Sequence, residues 1–372
     1  MDPQRKRYYW IGAILLTLWL AVWLTATLVW NRLDADRLII RQIWSPETGW
    51  SLGDAQPWRF LYEFGTIPAF ALTFICLLAW YRSLQSPKWI RFRRYFLLYS
   101  LTSIVGAGLI VNALLKEYTG RPRPREVVEF GGNWEYRAAL ELGIPGQGQS
   151  FPCGHCTMGF IFASGVMFWN YSPPVAIGSL ALGLGYGTLM STARLLQGAH
   201  YVSDAFWSLG VMGATFISFY FFVLQPPLSD SVLVRKISKQ TKWRLRIGIA
   251  ACLILITILY STRRPFFKEH QRIVSLSLEA QHIELVTNVP AENWDVEFTN
   301  VDHLIMDLQA NGFAFPASQH DLDVGTELSS EGIMQILVNS KTFGYFPELH
   351  EGVTLKVPVR FQHRLSLTPL PP

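Results

Sequence analysis

Charge is scarce in this chain. Asp, Glu, Lys and Arg make up 16% of its 372 residues, where an ordinary soluble domain carries about a quarter. That argues against a chain that is soluble from end to end. The formal net charge of +5 is modest, and no Lys/Arg-rich run is of the kind that suggests nucleic acid. Cysteine is limited to four residues. Cys76 and Cys252 lie inside apolar runs, where they read as inert core or lipid-facing residues, and Cys153 and Cys156 share a loop. No set of Cys, His and carboxylates has the spacing of a catalytic metal site, so neither metal nor cofactor is expected. Internal repeats and long low-complexity tracts are also missing.

What is abundant is apolar surface. Hydrophobic residues make up 50% of the chain, and the mean hydropathy is +0.21. Most lie in long runs before residue 262. About 20 apolar residues cross a bilayer core as a helix. Candidate spans are Tyr8–Trp30, Phe60–Trp80, Tyr95–Leu115, Cys156–Trp169, Val175–Thr192 and Ala205–Leu224, with a weaker seventh at Leu245–Thr262 that requires Arg246 to reach the interface. The first run is too long for a signal-peptide core, and no clear small-residue cleavage site follows it. With the N-terminus inside, the inner loops hold Arg5, Lys6 and Arg7, then Arg82, Lys88, Arg91, Arg93 and Arg94, then a basic stretch from Arg235 to Arg246, as the positive-inside rule asks. Arg263 and Arg264 sit against that rule. The Trp and Tyr residues near the ends of the runs suit interfacial anchoring.

Gln225–Arg244, with Pro226, Pro227 and scattered Ser and Lys, reads as a cytoplasmic linker. From about Arg272 the texture changes to short runs at Ile273–Glu279, His282–Thr287, Trp294–Phe298, His303–Leu308, Ile333–Asn339 and Val353–Phe361. Turn residues such as Asn311-Gly312 and Glu351-Gly352 separate them. The expected architecture is an all-α membrane bundle of six core transmembrane helices, with a seventh span and a small C-terminal all-β, sandwich-like domain. In residue terms this gives a membrane domain over 1–224, a linker over 225–244, a seventh span over 245–262 and a β-rich domain over 268–372.

Three polar clusters lie beside the spans without a bland reason for doing so. They are Lys116-Glu117-Tyr118-Thr119-Gly120-Arg121-Pro122-Arg123-Pro124, Phe151-Pro152-Cys153-Gly154-His155, and the stretch from Arg194 through His200 to Asp204. Counting spans puts all three on one side of the membrane. Lys116, Arg123 and Arg194 are three cations suited to a phosphate dianion. His155 and His200 suit proton donation and nucleophilic attack. His200 and Asp204 are four residues apart, close enough to share a helix face, where the carboxylate would orient the imidazole. Taken singly, each basic residue reads better as an interfacial anchor and each histidine as a satisfied loop residue. The joint spacing reverses that preference.

Those clusters resemble the type 2 phosphatidic acid phosphatase and vanadium haloperoxidase superfamily, whose pattern is K-x6-R-P, then P-S-G-H, then S-R-x5-H-x3-D. The resemblance covers roughly residues 55 to 225. It implies a six-helix core, a metal-independent phosphatase, His200 as nucleophile forming a phosphohistidine, Asp204 as its partner and His155 as general acid. Lys116, Arg123 and Arg194 would grip the phosphoryl oxygens, with Cys153 and Gly154 at the phosphate loop. Two positions depart from the pattern. Cys153 stands in place of Ser, where a thiol is a weaker donor, and Ala193 stands in place of another Ser.

Cys153-Gly154-His155-Cys156 has the form of a redox C-x-x-C motif, but no soluble βαβ setting surrounds it. A disulfide between Cys153 and Cys156 in an oxidising compartment fits better, and its closure would strain the loop that carries His155. Six of the eight histidines lie in the tail. His320-Asp321-x-Asp323 lacks a tight repeat and reads as solvated surface. The expected activity is hydrolysis of a lipid phosphomonoester or pyrophosphate, by an integral protein of a bacterial inner membrane with active site and tail on the periplasmic side. Candidate substrates are a polyprenyl pyrophosphate, a phosphatidylglycerol phosphate or the phosphate of a glycolipid such as lipid A. A phosphotransferase would use the same intermediate, and a silent scaffold working through its β domain is a rival of another class. Partners beyond the lipid and the membrane are not legible, and the tail could present substrate, dock a partner or join copies.

Overall fold

The computed structural model describes residues 3–84, 87–229, 243, 264–329, 332–344 and 348–369. The proposed seventh span at Leu245–Thr262 and most of the linker over 225–244 lie outside the described residues. Contacts divide the chain into two compact units, one helical and one built of strands.

Among the described residues the helical unit contains five helices long and apolar enough to cross a membrane: α1 (Pro3–Arg32), α2 (Trp58–Ser83), α3 (Trp89–Tyr118), α5 (Pro173–Leu196) and α6 (Val202–Leu228). Between α3 and α5 lies a shorter apolar helix, α4 (Gly154–Phe168). It occupies the place of the expected fourth span, starting at Gly154 rather than Cys156, so that the end of the second cluster forms its first turn. The remaining expected spans fall inside the observed helices, which run a few residues further at each end because polar and aromatic residues continue the winding beyond the apolar core.

With no hydrophobic drive between helices in lipid, packing depends on small residues and buried polar contacts. Thr73 Oγ1 donates to Ser103 Oγ at 2.9 Å and ties α2 to α3. A methyl group on Gly159 would lie 2.5 Å from Gly187 Cα, so α4 and α5 approach at backbone distance. Indole groups strap α1 to α6. Trp19 Nε1 donates to the Gly210 carbonyl at 2.8 Å, Trp23 Nε1 to that of Phe206 at 3.0 Å, and Trp207 Nε1 to Thr27 Oγ1 at 2.9 Å. This strap holds the segment after α1, including a short helix at Ala35–Ile40, near the first turn of α6.

Among the described residues the β unit has eight strands: β1 (Arg264–Val274), β2 (His282–Thr287), β3 (Trp294–Thr299), β4 (Leu304–Ala314), β5 (Gln319–Leu328), β6 (Ile333–Phe343), β7 (Glu348–Pro358) and β8 (Leu365–Pro369). They form two four-stranded sheets, ordered β1-β4-β7-β3 and β5-β6-β2-β8. Alternating residues of both, among them Leu285, Met306, Leu308, Ile336, Val338 and Leu355, enclose one apolar core.

Four expectations are corrected here. Asn311-Gly312 and Glu351-Gly352 are not turns but lie within β4 and β7, whose pairing carries both strands past the alternating stretch. The first strand runs over Arg264–Val274 rather than Ile273–Glu279. Strands β5 and β8 are additional: β5 is hidden by its polar composition and β8 by its length of five residues. His320 is not a solvated surface residue. It is 1% exposed, and its Nε2 lies 3.0 Å from both Glu351 Oε1 and Ser340 Oγ.

Candidate active site

The second cluster enters at the start of α4. Cys153 caps that helix: its backbone is extended and its sulfur accepts from the Cys156 amide at 3.2 Å. Cys153 and Cys156 are joined by a disulfide, so the Cys153 sulfur carries no hydrogen. It has no thiol hydrogen to give to phosphate. The Cys153 amide is also engaged, donating to the Asp204 carbonyl at 3.3 Å. Ser208 Oγ lies 2.8 Å from the carbonyls of both Cys153 and Asp204. The first turn of α4 is thereby fastened to the first turn of α6, with half-buried His155 beside it. Gly154 is the tight point, since a methyl group there would sit 2.3 Å from Asn112 Oδ1 on α3.

The third cluster leaves the end of α5. Gly198 has φ +60°, and any side chain on it would strike the Trp50 ring. The left-handed turn it allows closes the helix, with the Ala199 amide donating to the Arg194 carbonyl at 3.0 Å, and directs His200 into the interior. His200 is 2% exposed. Its Nδ1 lies 2.6 Å from the Ser150 carbonyl, which can only accept, so Nδ1 carries the proton. Nε2 therefore holds the lone pair, and it makes no hydrogen bond among the described residues.

Asp204 sits 3.5 Å from His200 Nδ1. Its closer partners are Arg121 at 2.5 Å, Ser150 Oγ at 2.5 Å and the Tyr201 amide at 2.8 Å. The expected orientation of the ring by this carboxylate is thus shared: the Ser150 carbonyl fixes the tautomer, and Asp204 contributes charge from slightly further away. Burial pushes the His200 imidazole down to about 4, against the pull of Asp204 and helped by the charges of Arg194 and Lys116. The ring is neutral at pH 7, the state a nucleophile requires.

The cations converge on the same place. Arg194 Cζ lies 4.5 Å from the centre of the Tyr62 ring, and that ring is 5.5 Å from the His155 ring. His155 lies within electrostatic reach of Arg194, His200, Lys116 and Arg123. Arg123 is largely buried, which lowers its pKa against the opposing pull of Glu126. The Nε groups of Arg123 and Arg194 are buried and have no hydrogen-bond partner among the described residues, Glu126 Oε1 lying 3.9 Å from that of Arg123. Unpaired guanidinium donors beside a neutral imidazole suit an oxyanion ligand.

Sequence reasoning missed a second layer. Arg121 is 1% exposed and pairs with Asp36 at 2.8 Å as well as with Asp204. It also donates to Ser203 Oγ at 2.8 Å and to the Arg137 carbonyl at 2.9 Å, and it lies over the Tyr201 ring. Burial opposes its charge, but the two carboxylates outweigh that and raise its pKa. Asp36 in turn accepts from Trp30 Nε1, Ser203 Oγ and the Ser203 amide. Arg121 was visible as the first arginine of Gly120-Arg121-Pro122-Arg123, and two arginines within three residues were a signal that they have different jobs. Nothing in the sequence marked Asp36, Ser150 or Tyr62.

Residues 96–226 match the model of the PAP2 superfamily. Curated relatives of the PAP2 domain include the lipid A 4'-phosphatase of Francisella tularensis subsp. novicida, 29% identical over 150 residues, covering 39% of this chain and 66% of that protein. The lipid A 4'-phosphatase of Rhizobium etli is 33% identical over 110 residues, covering 27% of this chain and 39% of the relative. That of Rhizobium leguminosarum is 31% identical over 112 residues, covering 28% and 44%. The matched part is less than two thirds of each relative's length. No solved structure matches the chain.

Proposed function

We propose that this protein is a membrane lipid-phosphate phosphatase that works through a phosphohistidine at His200. The observation that carries the reading is the pairing of His200 Nδ1 with the Ser150 carbonyl at 2.6 Å, which leaves Nε2 unbonded beside the cations of the site. Nε2 would attack phosphorus while the bond to the lipid oxygen breaks, and His155, entering the step as an imidazolium beside the bound phosphate dianion, would give that oxygen its proton. Lys116, Arg123 and Arg194 would hold the three phosphoryl oxygens as charge shifts among them. His155, now basic, would take a proton from water as that water attacks phosphorus, releasing phosphate and restoring His200.

Residues 1–224 would form the catalytic domain, with α4 completing a six-helix core, and residues 268–372 an accessory domain. The lipid tail would enter from the bilayer. The phosphate group of a lipid A-type glycolipid is the first substrate to test, because the relatives are named for that activity. A bacterial inner membrane with the site facing the periplasm would place enzyme and substrate together.

The test is phosphate release by purified protein from lipid A, a polyprenyl pyrophosphate and a phosphatidylglycerol phosphate, with product masses recorded. The parent protein should release phosphate from at least one, and His200→Ala should abolish release. A His200→Ala variant with undiminished turnover would sink the reading, and a product carrying the phosphate on a second acceptor would show transfer instead of hydrolysis.

A further inference from the structure

The buried charges behind His200 do not cancel, and the remainder has a sign. Asp204 alone would place one negative charge beside the imidazole. Arg121, at 2.5 Å from Asp204, would neutralise it. Asp36, brought in from the segment after α1 and 2.8 Å from the other side of the same guanidinium, restores the negative charge. Two carboxylates and one guanidinium leave a net charge of minus one. All three side chains are at most 1% exposed, so water screens this charge weakly.

We propose that Asp36 and Arg121 are positioning residues that leave the His200–Asp204 couple with one net negative charge, matched to the cationic ring formed when His200 is phosphorylated. This rests on the functional reading above. When the Nε2–P bond forms and the P–O bond to the lipid breaks, the ring keeps its Nδ1 proton and gains one positive charge. The Ser150 carbonyl accepts that proton but has no net charge to offer. Asp204 is the charged group at hand, and its charge is available only because Asp36 occupies Arg121. Arg121 is needed in turn because two bare carboxylates buried together would drive one of them to take a proton.

The network also has a mechanical side. Asp36 accepts from the Ser203 amide at 3.1 Å and so caps the helix that bears Asp204. A purely structural role would follow from this cap alone, and the two roles differ in what a charge-restoring pair of substitutions does. Asp36→Asn keeps a carbonyl oxygen for Trp30 and Ser203 but takes the net charge to zero. The double variant Asp36→Asn/Arg121→Gln returns it to minus one through Asp204 alone.

The experiment measures kcat and KM for phosphate release in mixed micelles from the lipid of the three named above that the parent protein hydrolyses fastest, with the parent protein and His200→Ala run alongside. Asp36→Asn should lower kcat about tenfold with KM little changed, the size expected for losing one nearby charge in a weakly screened setting. Asp36→Glu, which keeps the charge, should recover most of it. The double variant should turn over faster than Asp36→Asn. An Asp36→Asn variant with parental kcat, or a double variant slower than Asp36→Asn, would overturn the proposal while His200→Ala remains inactive. Should the parent protein release no phosphate, or His200→Ala remain active, the functional reading falls first and this inference with it.

Discussion

Gly154 offers a prediction whose size follows from the packing. An alanine there would place its methyl carbon 2.3 Å from Asn112 Oδ1 and 3.1 Å from Asn112 Cγ. A carbon–oxygen contact ordinarily needs roughly 3.3 Å, so about 1 Å must be found. Asn112 gives way poorly, since its Nδ2 donates to the Ala107 carbonyl at 2.7 Å. The start of α4 gives way poorly as well, held by the disulfide, the Asp204 carbonyl and Ser208. Overpacking of this kind costs about 1–3 kcal/mol. The neighbouring His155 would share the displacement, and a misplacement of about 1 Å in a catalytic group lowers turnover about a hundredfold. The assay is phosphate release and thermal unfolding of Gly154→Ala in detergent. Asn112→Ala removes the offending oxygen, so the double variant should recover to within about tenfold of the parent, as expected of two coupled neighbours. If the glycine were instead required so that phosphate can approach the backbone, vacating Asn112 would not help. A single variant with parental turnover, or a double variant no better than the single, refutes the packing argument.

Acid should destabilise the protein through His200. Its imidazole is held near 4 in the folded state against 6.5 when free, so between those values the unfolded chain binds a proton that the folded one does not. Stability is unaffected above pH 6.5 and falls as pH drops toward 4, by about 3 kcal/mol in all. Thermal unfolding from pH 7 to pH 4.5 should fall more steeply for the parent than for His200→Gln, and identical slopes would contradict the assignment. Cys153→Ser keeps an acceptor at the helix cap whereas Cys153→Ala does not. Both lose the disulfide, so their difference isolates the cap at about 1 kcal/mol; equal unfolding temperatures would show that the cap carries no weight. Phosphate release should survive a chelator and be inhibited by vanadate, a mimic of five-coordinate phosphorus, and a loss of activity reversed by adding back a divalent ion would require a metal in the mechanism.

The amino-acid sequence on its own determined five of the expected helical spans and the three clusters. Span length is set by bilayer thickness, a property of the solvent, and spacings such as Lys116 to Arg123 or His200 to Asp204 are local and survive any packing. The alternation of β2 and β6 was legible because one face of each strand meets the core. Only the tertiary structure decided who partners whom. The nearest cation to Asp204 comes from Arg121, 83 residues away in the chain, and the charge balance is completed by Asp36, 85 residues from Arg121. The tautomer of His200 depends on a backbone carbonyl at Ser150, which has no side-chain signature. Such contacts depend on how α1 is strapped to α6 and how the start of α4 meets α3, arrangements that involve residues distant in sequence. Periodicity reports which face of an element is buried, while the identity of the group against that face is decided when the elements come together.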